Sequence, residues 1–218
     1  MSGYPGTPRL RRAGLVLISP ESGSVERIIA LQYAPETLSR QIEAQAFEGE
    51  AARSQPLRLR APAKETITLE ATIDATDQLE FPDRNAVTVE AGIFPALCAL
   101  ETMLYPGAAQ LERQNTLAGS GAFEIAPAET PLALFVWSAR RIVPVRLDSL
   151  QIVEEFFDPN LNPIRAKLSL TLKVLSVDDL GFRHRGSGLF MAYLQAKEQL
   201  ASRAAKESLD VLGAGELT

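Results

Sequence analysis

Ile164-Arg165-Ala166-Lys167-Leu168-Ser169-Leu170-Thr171-Leu172-Lys173-Val174 is the stretch on which the fold turns. Ile164, Ala166, Leu168, Leu170, Leu172 and Val174 alternate without a break against Arg165, Lys167, Ser169, Thr171 and Lys173. A pleated strand sends successive side chains to opposite faces, so this pattern predicts an antiparallel strand with one buried and one wet face. Just upstream, Asp158-Pro159-Asn160-Leu161-Asn162-Pro163 reads as a stiff turn, because Pro fixes φ and Asp and Asn bond their own backbone. The run before it, Ile142–Val153, is strand-like but changes phase. Val143, Val145 and Leu147 share one parity and Leu150 and Ile152 the other, a slip that a β-bulge or bend between Leu147 and Leu150 absorbs. With the apolar run Leu132–Trp137 these segments make a region of long strands over Leu132–Val177.

Further out, Leu15–Ile18 and Val25–Tyr33 are two strand-like runs joined by Ser19-Pro20-Glu21-Ser22-Gly23-Ser24, a hairpin connection. Ser39–Pro62 is polar and Ala-rich without a sustained period and is expected to be an extended loop with a short helix at most. Thr66–Asp74 alternates Ile67, Leu69, Ala71 and Ile73 against polar residues, a half-buried strand, and ends in the acidic, turn-prone segment Asp74–Arg84. A helix follows: Pro95 suits its first turn, and Ala96, Leu97, Ala99, Leu100, Met103 and Leu104 form an apolar face before Tyr105-Pro106-Gly107 stops it. Ala108–Thr130, with Gly119-Ser120-Gly121, is expected to be an exposed, mobile loop. After Asp178-Asp179-Leu180-Gly181 a helix is expected from about Leu189 to Leu212. The result is an α+β chain: an antiparallel β-sandwich or partly closed barrel with a central helix and a C-terminal helix. Residues 1–13 read as a flexible tail, 14–181 as one domain and 182–218 as a helical extension.

Composition narrows the chemistry. The chain has 218 residues, 46% of them apolar, enough to build a core without disulfides or metal. With 22 Lys plus Arg against 27 Asp plus Glu, the net charge of −5 provides no basic field for nucleic acid. Cys98 is alone, so there is no internal disulfide and no Cys-x-x-Cys zinc site, and it is expected to be an inert thiol in the central helix. Any imidazole chemistry must use His184, the only histidine. Arg9, Arg11 and Arg12 before Ala13–Ile18 resemble a signal peptide, but the apolar run is short and Ser19-Pro20-Glu21-Ser22 offers no cleavage pattern. The longest stretch free of Asp, Glu, Lys and Arg is Gly186–Ala196, 11 residues. A membrane-spanning helix needs about 20. No membrane or nucleic-acid partner is expected.

The same strands carry a family resemblance. Val136-Trp137, then Val143-Pro144-Val145-Arg146-Leu147-Asp148-Ser149-Leu150, leading into Glu154-Glu155-Phe156-Phe157-Asp158-Pro159-Asn160-Leu161-Asn162-Pro163-Ile164-Arg165-Ala166, resembles the tube-domain family of contractile injection systems, the phage-tail-like machines of bacteria and archaea. It is similar in particular to baseplate tube-initiator (adaptor) proteins, whose longer members carry a LysM module. Gly92-Ile93-Phe94-Pro95-Ala96-Leu97-Cys98-Ala99-Leu100-Glu101 with Leu104-Tyr105-Pro106 fits the family's central helix, and Glu65-Thr66-Ile67 with Asp74-Ala75-Thr76-Asp77 its preceding strand. Where the family's early strand runs into an Asn-Pro-Glu-Thr-Leu-like segment, this chain has Tyr33-Ala34-Pro35-Glu36-Thr37-Leu38. The resemblance spans about Leu15–Leu180. No LysM-like repeat follows, so no peptidoglycan-binding role carries over. It implies two packed sheets with a helix alongside and a homo-hexameric ring between a trimeric spike-hub and the inner-tube protein, with other baseplate proteins as further neighbours. The ring would template tube growth, be assembled in the cytoplasm, and need no cofactor. Asp158, Pro159, Asn160, Leu161, Asn162, Pro163, Arg165 and Lys167 are its candidate assembly residues, as the tip and outer face of a hairpin that extends a neighbour's sheet. The same outer face reads equally as ordinary solvent surface.

Catalytic readings are weaker. Glu154 and Glu155 are adjacent on a strand and so face opposite sides, unlike the paired carboxylates of a glycosidase. Asp74, Asp77 and Asp83 lack EF-hand spacing for calcium. Arg183-His184-Arg185 is expected to be a solvated cluster or to pair with Asp178 and Asp179 rather than to bind phosphate. Gly186-Ser187-Gly188 lacks the Lys and spacing of a P-loop, and no G-x-S-x-G elbow exists. Phe190, Met191 and Leu194 are expected to dock the terminal helix on the domain's own sheet. A non-enzymatic ring protein is therefore the leading expectation, with a repeating tube subunit, or a small-ligand or enzymatic β-barrel, as alternatives.

Overall fold

The computed structural model describes residues 13–19, 22–31, 37–47, 57–119 and 130–204. The expected N-terminal tail lies outside the described residues apart from Ala13, which is buried, and so do 205–212 of the expected last helix. Seven strands form one antiparallel sheet: β1 (Gly14–Ile18), β2 (Val25–Ala30), β3 (Leu38–Ala46), β4 (Leu59–Asp74), β5 (Leu132–Ser138), β6 (Arg141–Phe157) and β7 (Pro163–Val174). Their order across the sheet is β2-β1-β5-β6-β7-β4-β3, and β2 and β3 do not pair with each other. Helices complete it: α1 (Thr76–Leu79), α2 (Ala86–Ala91), α3 (Phe94–Glu101), α4 (Ala108–Gly119), α5 (Val177–Leu180) and α6 (Arg185–Ala201). This is the expected α+β arrangement, open rather than closed into a barrel.

The central strands follow the sequence pattern closely. In β7, Ala166, Leu168, Leu170, Leu172 and Val174 are buried while Lys167 is exposed. The bulge expected in β6 is present: Leu147 pairs with Leu172 but Ser149 with Thr171, leaving Asp148 as the extra residue. One core cluster joins Leu15 of β1, Ile67 of β4, Phe135 of β5, Val143 of β6, Leu170 of β7 and Phe190 of α6. In α3, Leu97 and Leu100 turn one buried face to that core, and Pro95 occupies the first turn, where its missing N–H costs nothing. Leu104 lies beyond the end of α3 and is largely exposed, so the apolar face is shorter than expected.

Two segments differ from expectation. Ser39–Pro62 contains strand β3 and the start of β4 rather than a loop. β3 is an edge strand whose side chains are mostly exposed, so its backbone ladder with β4 leaves almost no hydrophobic period in the sequence. Ala108–Gly119 is helix α4 with no buried residue, which is why no apolar stripe announces it. The rest of that expected loop, 120–129, lies outside the described residues.

Candidate assembly surface

The β6–β7 hairpin positions the surface. Beyond its bulge, β6 pairs with β7 as far as Phe157 opposite Pro163. On its other side β6 pairs with β5 only from Arg141 to Val145. No described strand pairs with that side of β6 from Arg146 to Phe157, so half of the backbone N–H and C=O groups there face outward from the ladder.

The tip is held by Asp158. Its Oδ1 accepts from the backbone N–H groups of Asn160 and Asn162, each at 2.8 Å, and its Oδ2 from Asn162 Nδ2 at 2.9 Å. The Asn162 side-chain bond and then the backbone bonds hold the Asp158 carboxyl below the usual aspartate range. Backbone bonds Asp158 N–H to Asn162 O and Leu161 N–H to Asp158 O, both 2.9 Å, close the turn. Leu161 has a φ of 65° and Phe156 a φ of 55°, left-handed values rare for side chains this large. Pro159 and Asn160 are exposed, as are Phe156, Phe157 and Leu161. The tip therefore presents apolar side chains to solvent on a hydrogen-bonded frame.

Its base is fastened to the helical segment. Asn162 Nδ2 also donates to the Glu90 carbonyl at 2.9 Å, and Ile93 N–H donates to the carbonyl of Pro163, itself buried, at 2.9 Å. Gly92, at φ 58°, lies against that Pro163 carbonyl, where a Cβ has no room. On the outer face, Glu155, Arg165 and Asp74 lie side by side across β6, β7 and β4. Arg165 Nε sits 3.7 Å from Glu155 and 3.9 Å from Asp74, and Lys167 pairs with Glu155 at 2.7 Å. Arg165 and Lys167 are thus part of a charge ladder within one chain.

At the opposite end of the β6-β7-β4-β3 block, β3 is an edge. Leu38 packs on the core, and Arg40 turns inward to Glu65 of β4, a carboxylate only 4% exposed. Glu65 accepts from Arg40 Nε at 2.7 Å, from the Tyr193 hydroxyl at 3.1 Å and from Lys197 at 2.8 Å. Tyr193 in turn accepts from Arg40 Nη2 at 3.1 Å, and the Lys197 ammonium stands 4.1 Å over the Tyr193 ring. Burial pushes the Glu65 carboxyl up, but the hydrogen bonds and charges of Lys197 and Arg40 outweigh it and hold it below the ordinary value. Sequence reading missed this group because its partners lie 25 to 132 positions away. One signal was there: Glu65 shares the odd parity of Ile67, Leu69, Ala71 and Ile73.

The remaining candidates have local roles. His184 caps α6, its Nδ1 accepting from Gly186 N–H at 3.1 Å, and the helix starts at Arg185 rather than Leu189. Of the two expectations for Arg183-His184-Arg185, the solvated one fits better: Arg183 and Arg185 are exposed, and Asp179 pairs with Lys173 instead. Asp179 bonds Lys173 at 2.7 Å and Ser176 in a capping box, and although burial opposes it these bonds hold its carboxyl low. Phe190 and Tyr193 are buried with Met191 and Leu194 packed beside them, so α6 docks on its own sheet as expected. Among the described residues no group of three or more His, Cys, Asp or Glu is arranged to hold a metal, and no helix is long and apolar enough to cross a membrane. A cleft of about 910 Å³ opens between β1, β2, β5 and the α3–α4 connection, lined among others by Leu17, Arg27, Met103, Tyr105 and His184.

No protein-family model matches the sequence, and no curated protein matches it. Among solved structures, a chain from the tail of an empty GTA particle with C6 symmetry aligns over 75% of this chain and 90% of its own length, at 14% identity and a TM-score of 0.29. That likeness is too slight to establish a shared fold.

Proposed function

We propose that this chain is a non-enzymatic structural component of a contractile injection system, forming a ring that joins the spike-hub to the inner tube and templates tube polymerisation. One observation carries the reading: the four-strand block β6-β7-β4-β3 ends in two unlike edges that no described strand covers, the outer side of β6 beyond Val145 and the outer side of β3. Long edges are a hazard to a monomer, and although β6 from Arg146 to Phe157 has a bulge at Asp148 and the charges of Arg146, Asp148, Glu154 and Glu155, it carries neither Lys nor Pro. When two different edges of one chain meet those of its neighbours, the contact is heterologous and generates a closed ring or an open helix. The sequence resemblance favours a hexameric ring, with strand addition as the joint and the Asp158–Pro163 tip with Arg165 and Lys167 beside it.

Templating needs two faces. One would match the symmetry of the trimeric spike-hub, and the other would present tube-like edges to the first inner-tube ring. Assembly would take place in the cytoplasm, with other baseplate proteins around the ring. Negative-stain imaging of sedimented particles, with and without the gene, tests the role. Loss of assembled tubes on deletion, restored in trans, is expected, and intact particles at normal abundance would overturn it. Counting copies per particle separates one ring of initiator from many rings of a repeating tube subunit. The 910 Å³ cleft favours the small-ligand reading, for which native mass spectrometry would show a bound molecule.

A further inference from the structure

β3 is weakly held for a strand offered as an assembly edge. Of its nine residues only Leu38, Arg40 and Gln45 are better than exposed, and its ladder with β4 is irregular at Glu43/Gln45 and Gln45/Ala46. The Gln45 side chain donates to the Pro62 carbonyl at 2.6 Å. Among the described residues β3 has its ionic anchor in Arg40, and that anchor does not end at β4. Glu65 and the Tyr193 hydroxyl continue it to α6, where Lys197 closes the group on the far side. Three elements distant in sequence are thus braced at one carboxylate, Arg40 and Tyr193 sharing its Oε1 and Lys197 taking its Oε2.

We propose that α6 acts as a clasp, its Tyr193 and Lys197 setting Glu65 so that Glu65 in turn holds Arg40 and keeps edge strand β3 ordered. Lys197 is placed to do this without any direct bond to β3: its bonds run to Glu65 and its ammonium lies over Tyr193. Without it, Glu65 keeps Arg40 as its only cationic partner and Tyr193 as its other donor, both on Oε1, while the buried Oε2 loses its 2.8 Å partner. The carboxylate then turns toward water at the rim and the Arg40 bond lengthens. α6 docking and β3 order are therefore one equilibrium. The consequence for assembly rests on the ring reading, whereas the coupling itself does not.

Hydrogen exchange on the full monomeric chain tests it. Lys197→Met keeps the helical stem and removes the charge, and Tyr193→Phe keeps the buried ring and removes the hydroxyl. Each is expected to speed amide exchange in β3 (38–46) about tenfold or more while β1 and β5 keep wild-type protection, which corresponds to about 1.4 kcal/mol of local opening. Unchanged protection in β3, or equal acceleration throughout the sheet, would overturn the clasp. Arg40→Met, which removes the anchor from the β3 side, should produce the same local pattern and should not add to Lys197→Met. Additive effects would mean two separate contacts and would also overturn it. If β3 loosens in these variants but rings form normally, the clasp stands and β3 is not the joint between copies; if the wild-type chain forms no ring, the ring reading fails while the exchange pattern still decides the clasp.

Discussion

Single residues set how the hairpin tip is presented. Gly92 ends α2 at φ 58° directly against the Pro163 carbonyl, so Gly92→Ala adds both a strained backbone and a clash at the base of the hairpin. A loss of roughly 2 kcal/mol is expected in urea unfolding, and an unchanged midpoint would show that the segment yields freely. Phe156 is the converse case, a bulky residue at φ 55° that is 67% exposed. Little burial is lost in Phe156→Gly and the left-handed strain is relieved, so the monomer should be unaffected or stabilised by up to about 1 kcal/mol. A clear loss of monomer stability would mean that the ring packs within the chain rather than awaiting a neighbour. The turn itself was legible: Asp158-Pro159-Asn160-Leu161-Asn162 announces a side-chain-bonded loop, and Asp158 makes those bonds. The left-handed values were not, because neither Phe156 nor Leu161 is a residue type that signals positive φ.

Elements are readable in proportion to how much apolar surface they bury. β7 alternates because every second side chain is in the core, and the phase slip in β6 named its bulge because Leu147 and Leu150 must both reach that core. A charge at Leu170, 1% exposed and cross-strand from Leu69 and Leu150, would have to be buried without a partner. Leu170→Asp should cost about 4 kcal/mol or more and abolish the folded chain; cooperative thermal unfolding at the wild-type temperature would contradict it. β3 and α4 bury little, so neither left a period, and the Glu65 group links elements too far apart in sequence to be seen along the chain. That group makes a pH prediction. Its folded-state pKa is depressed, so the unfolded chain binds the proton more readily and Glu65 stabilises the fold above its ordinary value of 4.5. The contribution is lost as pH falls below 4.5 towards the lower folded value. Glu65→Gln should cost on the order of 2 kcal/mol at neutral pH, a figure held down by the partial exposure of Arg40 and Lys197. The gap from wild type should narrow in acid; a gap constant with pH would mean that packing, not charge, holds α6 there.

At the scale of the molecule the sheet is asymmetric in a way a monomer does not need. Its β2-β1-β5 side consists of short strands ending in the short edge strand β2, while its β6-β7-β4-β3 side carries strands of 9 to 17 residues that end in two edges of different character. The sequence showed the long hairpin but not that β5 covers so little of β6, because pairing length is settled by where the chain turns and not by any residue's polarity. If the edges join copies of the chain, a charge placed on either should act on assembly and leave folding alone. Ser39, exposed on β3 opposite Thr68 and on the face away from Glu65, offers the cleanest site. Lysine on an edge is a device by which monomeric sheets avoid unwanted pairing, since the partner strand would have to desolvate it. Ser39→Lys should leave the unfolding free energy within about 0.5 kcal/mol of wild type while sharply lowering the yield of rings in sedimentation velocity and negative stain. Rings at wild-type yield would remove β3 from the joint and leave the free side of β6 without its complement in this chain. The neighbour that covers β6 would then have to be a different protein, and copies of this chain would be held together through the hairpin tip instead.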